Sequence, residues 1–68
     1  MIELNKNYFF NEIEEFANDN NYELEAFGYE IIGEHFILLK HNDKDITHSF
    51  ILDGATSSQY IYKCVYSD

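Results

Sequence analysis

The stretch Tyr22-Glu23-Leu24-Glu25-Ala26-Phe27-Gly28-Tyr29-Glu30-Ile31-Ile32 decides how this chain folds. Tyr22, Leu24 and Ala26 alternate with Glu23 and Glu25, the pattern of a half-buried strand. The alternation slips at Ala26-Phe27 and resumes as Phe27, Tyr29 and Ile31, and a bulge near Gly28 accounts for the slip. At helical spacing, Leu24, Phe27 and Ile31 form a stripe instead, so a second helix is the rival reading. The strand is preferred.

Upstream, about Tyr8 to Asp19, the periodicity is helical. Phe9, Ile13 and Phe16 recur at i, i+4 and i+7 with Ala17 beside them, while Asn11, Glu12, Glu14, Glu15 and Asn18 fill the other side. Asn5 or Asn7 is placed to cap this helix, and neither is followed three residues later by Glu or Gln, so no capping box is expected. Asn18-Asp19-Asn20-Asn21 ends it, because Asn and Asp compete for backbone hydrogen bonds and tolerate the left-handed region.

Downstream, strand and turn signals alternate. Gly33 turns the chain into His35-Phe36-Ile37-Leu38-Leu39, apolar on both sides and therefore expected to be central. Asn42-Asp43-Lys44-Asp45 is a turn cluster. Ile46 to Leu52 reads as a strand with Ile46, Phe50 and Leu52 on one side, and Asp53-Gly54 as the next turn. Tyr60 to Tyr66 is the last strand, with Tyr60, Tyr62, Cys64 and Tyr66 set against Ile61, Lys63 and Val65.

The expected fold is α+β: one N-terminal amphipathic helix packed on an antiparallel meander of three to four strands, with residues 1–68 as a single small domain. One helix cannot cover both faces of such a sheet. The second face is expected to be half-apolar and exposed, which marks an interface and makes a homodimer one reading of the chain.

Composition narrows the function. The chain has 68 residues, four lysines, no arginine and thirteen carboxylates, a net charge of −9. The length excludes a Rossmann unit or a TIM barrel. The sign of the charge excludes direct nucleic-acid binding, which needs a basic footprint. At 46% hydrophobic and 18% aromatic, the chain is far from the signature of disorder. The single cysteine, Cys64, forms no internal disulfide. No signal-peptide pattern stands at the N-terminus, and the longest apolar run, Phe36 to Leu39, is far short of a membrane span. A soluble cytoplasmic protein with no membrane partner is expected.

Candidates for chemistry are few. His41, Asp43, Asp45 and His48 cluster across a hairpin turn, and all four side chains can ligate a metal. They fail the EF-hand template: counted from Asp43, the glycine position is His48 and the closing glutamate position is Gly54. A solvated turn is the expected reading, with no metal and no cofactor, and a metal-dependent module is the weakest alternative. Nothing brings Cys64 to a histidine, so it is read as a structural cysteine and no catalytic residue is assigned.

Charge distribution is the strongest signal. Between Lys6 and Lys40 there is no basic residue and there are eight acids. Glu12, Glu15 and Asp19 fall on one helix face, and Glu23 and Glu25 on one strand face; Glu30 and Glu34 complete the series. A solubilising surface explains the net charge, and explains the missing lysines less well. In size and acidity, and in an asparagine-, isoleucine- and tyrosine-rich composition without arginine, the chain resembles the small DNA-mimic inhibitors of phages and mobile elements, the anti-restriction and anti-CRISPR proteins. The resemblance implies a non-enzymatic protein that occupies the groove of a basic, nucleic-acid-handling partner. The acids of the block would supply charge, and Tyr22 and Tyr29 would serve as anchors.

Overall fold

The computed structural model describes residues 1–29 and 34–68. Strand β1 (Asn7–Phe9) leads directly into helix α1 (Phe10–Asp19), followed by β2 (Tyr22–Tyr29), β3 (Glu34–His41), β4 (Thr47–Ala55) and β5 (Tyr60–Ser67). The strands form one antiparallel sheet in the order β1-β5-β4-β3-β2. The α+β reading and the meander are found, but the sheet has five strands rather than three to four. The extra one is β1, too short to show a period. It exists because Asn7, Tyr8 and Phe9 pair with Lys63, Tyr62 and Ile61.

That pairing moves the helix start. Asn5 is not a cap; it takes a positive φ of 68° in the turn before β1. Phe9 is the N-cap residue, and its N–H donates to Glu12 Oε1 at 2.9 Å. Phenylalanine offers no acceptor in return, so half of a capping box forms where none was expected. Phe10 rather than Phe9 packs inward, its ring 6.1 Å from that of Tyr62. Ile13 and Ala17 are buried beneath the helix, and Phe16 is half-buried beside them. At the C-terminal end Asn20 N and Nδ2 both donate to the Phe16 carbonyl, and Asn21 takes the left-handed region at φ 62°.

The strand reading of Tyr22–Tyr29 is correct, and the bulge near Gly28 is not found. The β2–β3 register runs unbroken from Tyr22↔His41 to Tyr29↔Glu34. The hydrophobic pattern changes because β2 has two apolar environments: Leu24 packs against the core under α1, and Phe27 meets Phe36 on the opposite face, ring centroids 6.0 Å apart. Glu30, Ile31 and the turn expected at Gly33 lie outside the described residues.

The irregularities lie between β4 and β5. Asp53-Gly54 is not a turn but sits inside β4, where the register shifts between Leu52↔Tyr62 and Gly54↔Ile61. The turn comes later, where Thr56 Oγ1 accepts the N–H groups of Ser58 and Gln59, and Thr56 N donates to the Gln59 carbonyl at 2.7 Å. A second shift lies between Ser49↔Tyr66 and Phe50↔Cys64, leaving Val65 as an extra residue. Tyr62 and Cys64 therefore face α1 as expected, while Tyr66 pairs with Ser49 on the other side. A bulge exchanges faces because strand side chains alternate with period two.

The core lies under α1. Phe50, Leu39 and Cys64 have no exposed surface, and Ile37 and Tyr62 close around them. Tyr8 meets Phe50 edge-on at 6.2 Å, and its hydroxyl accepts the Glu3 N–H at 2.8 Å, which draws the N-terminal segment and buried Ile2 over the sheet. Adjacent positions on β4 should therefore differ sharply on truncation. Phe50→Ala is expected to cost about 3–5 kcal/mol, the range for emptying a packed aromatic site. Ile51→Ala, on the open side, should cost under about 1 kcal/mol, closer to a surface change. Urea midpoints of the two variants give the comparison.

Candidate functional site

The acids expected to form one block are divided by the fold. Glu12, Glu14, Glu15 and Asp19 are all exposed on the outer surface of α1. No cation lies on the helix, and the one ion pair among the described residues is elsewhere, Lys6 Nζ to Glu3 Oε2 at 3.3 Å. Glu12 is partly engaged by the Phe9 N–H. Glu23 and Glu25 are on the opposite side of the molecule, because β2 residues of odd number face away from α1. There Glu23 stands opposite Lys40 in the register and Glu25 opposite Leu38. β2 is also an edge strand, where charged side chains discourage pairing with another sheet. Tyr29 and Glu34 pair at the end of the β2–β3 ladder. Glu30 lies outside the described residues.

Tyr22 is not an exposed anchor. Its ring packs against Phe16 at 5.3 Å and lies between His41 at 5.0 Å and His48 at 5.3 Å. The Tyr22 hydroxyl is 3.1 Å from His48 Nε2, and Ser67 Oγ is 2.8 Å from His48 Nδ1. His48 is buried, at 6% exposure, with both ring nitrogens occupied. Ser67 reaches it only because the extra residue Val65 sets the phase of the strand end, and no short sequence signal announces that contact.

The four residues of the suspected metal cluster separate. His41 Nδ1 accepts the N–H groups of Asp43 and Lys44 and so ties down the turn. Asp43 Oδ2 accepts from Asn21 Nδ2 at 2.7 Å, and Asn42 donates to the Asn21 carbonyl, joining this turn to the end of α1. Asp45 is exposed, and His48 is in the core.

A groove of about 440 Å³ opens beside His48, lined by Ile2, Phe16, Tyr22, Ile46, His48 and Asp68 among others. Burial lowers the His48 pKa below the usual 6.5, opposed by the nearby Asp68 carboxylate, which raises it. Burial likewise raises the Cys64 thiol, partly offset by a backbone hydrogen bond with Tyr66, which leaves it a poor nucleophile. In His48, committed nitrogens and a disfavoured cation describe a structural histidine rather than a poised base.

The open face of the sheet is the third surface. Phe27, Ile51, Val65 and Tyr66 are between 40% and 50% exposed, and Phe36 and Leu38 are half-buried next to them. The expectation of a half-apolar uncovered face is met.

The His48 arrangement has a pH consequence. Its folded-state pKa lies below the unfolded value, so the unfolded chain takes up the proton first. Stability from this group is therefore present above pH 6.5 and is lost as pH falls through 6.5 toward the lower folded value. His48→Gln should reduce stability at neutral pH but flatten its decline between about pH 7.5 and 5.5. Urea unfolding of both proteins across that range measures the difference in slope.

No protein-family model matches the chain, no curated protein is significantly similar to it, and no solved structure matches it.

Proposed function

We propose that this chain acts by binding, through the acidic outer surface of α1, to a basic protein that handles nucleic acid. The carrying observation is a helix that exposes Glu12, Glu14, Glu15 and Asp19 with no cation beside them. Uncompensated like charges on a helix oppose its formation slightly, and an i,i+4 lysine would reverse the effect without loss of solubility. A cationic partner surface supplies the missing counter-charge. Along the helix axis Glu12, Glu15 and Asp19 are separated by about 4.5 and 6 Å, from a rise of about 1.5 Å per residue. That is the order of the phosphate spacing on one DNA strand, about 3.4 Å along the axis. Occupation of a basic groove by this surface would block the nucleic acid, and the molecule would act as an inhibitor without chemistry of its own.

Immobilised protein should retain a basic DNA-binding protein from a host lysate, and duplex DNA should compete it off. Glu15→Lys with Asp19→Lys should weaken that binding at least about tenfold, mainly by slowing association, because steering is lost. Glu12 is left intact because it caps the helix. Asp45→Lys with Asp53→Lys changes the net charge equally at exposed sites off the helix, and should have a smaller effect. Equal loss in both pairs would leave net charge alone as the cause and remove the defined surface.

A further inference from the structure

The open sheet face has a charge pattern of its own. The ladders place Asn7, Lys63, Ile51, Phe36 and Phe27 in one row across all five strands. The next row on this face holds Tyr66, Ser49, Leu38 and Glu25, and the one after it Thr47, Lys40 and Glu23. Within these rows the charges are Lys63, Lys40, Glu23 and Glu25, two of each sign, and Asp53 and Glu34 add two acids at the register positions beyond Ile51 and Phe36, on a molecule whose net charge is −9. Self-repulsion between copies is therefore weaker across this face, where two lysines stand among the acids, than across α1, which has none. It is also where large apolar side chains gather outside the core.

The signs are not scattered. Lys40 is the register partner of Glu23, so that pair is balanced within the chain. Lys63 on β5 and Glu25 on β2 remain, one on either side of the apolar band. Four strands run from β5 to β2, and the line between β4 and β3 divides them equally. Rotation by half a turn about that line lays β5 on β2 and β4 on β3 of a second copy. Ile51 then meets Phe36, and the ammonium of Lys63 lies over Phe27 with Glu25 one side-chain step away, about 6.8 Å along the strand. Each such contact occurs twice, as a two-fold interface requires. The natural twist of packed sheets, about −30° between strand directions, is compatible with this alignment.

We propose that a second copy of this chain covers the open face, in a sandwich whose two-fold axis runs along the strands between β3 and β4. The inference is independent of the reading of α1, and adds to it: the two acidic helices end on opposite outer surfaces. The size of the face sets the strength. With strands about 4.8 Å apart, its projected plane is roughly 400 Å². That places it toward the small end of specific interfaces, below about 1,200 Å² in total, where association is weak and reversible. A dissociation constant in the micromolar range is expected.

Sedimentation equilibrium up to about 1 mM, the weak end of the affinity scale, provides the test. A reversible species of twice the 8.1 kDa chain mass supports the proposal, and a monomer throughout overturns it. Ile51→Lys places a charge at the centre of the face while leaving the core untouched. It should raise the dissociation constant by more than about tenfold, with far-ultraviolet circular dichroism unchanged. A dimer that persists in Ile51→Lys overturns the assignment of the face. Lys63→Glu and Glu25→Lys should each weaken the dimer, and the double variant should restore most of the loss. Additive weakening in the double variant overturns the proposed axis. Loss of the α1 partner in the preceding experiment would leave all these outcomes unaffected, so the two readings fail separately.

Discussion

A ten-residue helix is about 15 Å long and about 10 Å wide, and it lies on a sheet about 19 Å across. Cover on one side is all that such a helix can give. Phe50, Leu39, Ile37, Tyr62 and Cys64 use that cover completely, and the N-terminal segment extends it with Ile2 and Tyr8. The alternate residues of the same strands cannot reach it. Every strand therefore carries two selections at once, one for a dry interior and one for a surface that is apolar yet open. The double character of β3, with Ile37 and Leu39 inward and Phe36 and Leu38 outward, is the clearest expression of this constraint.

Electrostatics follow the same division. The helix has one buried stripe, so its remaining positions are free for polar residues, and those that are charged are acids alone. Lysine is scarce enough that its placement matters. Two of the four lie on the open face of the sheet, where they offset Glu23 and Glu25. The result is a molecule with one side that is acidic throughout and one apolar side of mixed charge.

The class of fold was legible in the residues because both periodicities are clean over most of the chain. Ile13, Phe16 and Ala17 mark the helix, and Leu24, Leu39, Phe50 and Tyr62 mark the inward face of the strands. Three residues of β1 were invisible, since their strand character comes from partners more than fifty residues away in Tyr62 and its neighbours. Asp53-Gly54 carries turn chemistry but is held in β4, because the hydroxyl of Thr56 organises a tighter corner further on. The acids were legible as a run in sequence but not as a surface in space. Adjacent residues of β2 point to opposite sides, so Tyr22 enters the imidazole cluster while Glu23 faces the other way. The Ser67–His48–Tyr22 contact joins three distant segments, and no local pattern could have assembled it.

Val65 fixes which way the end of the chain reads. Before it, even-numbered residues of β5 turn inward, and after it the odd-numbered Ser67 does. Loss of Val65 would close the bulge and leave Tyr66 opposite Ser49 and Ser67 opposite His48, whereas one further residue paired into the ladder here would bring the ring of Tyr66 against His48 and send Ser67 outward. The ladder at this point thus tolerates the removal of one residue better than the addition of one. The last strand thus carries one residue more than its ladder needs, and that spare residue adds apolar surface to the open face.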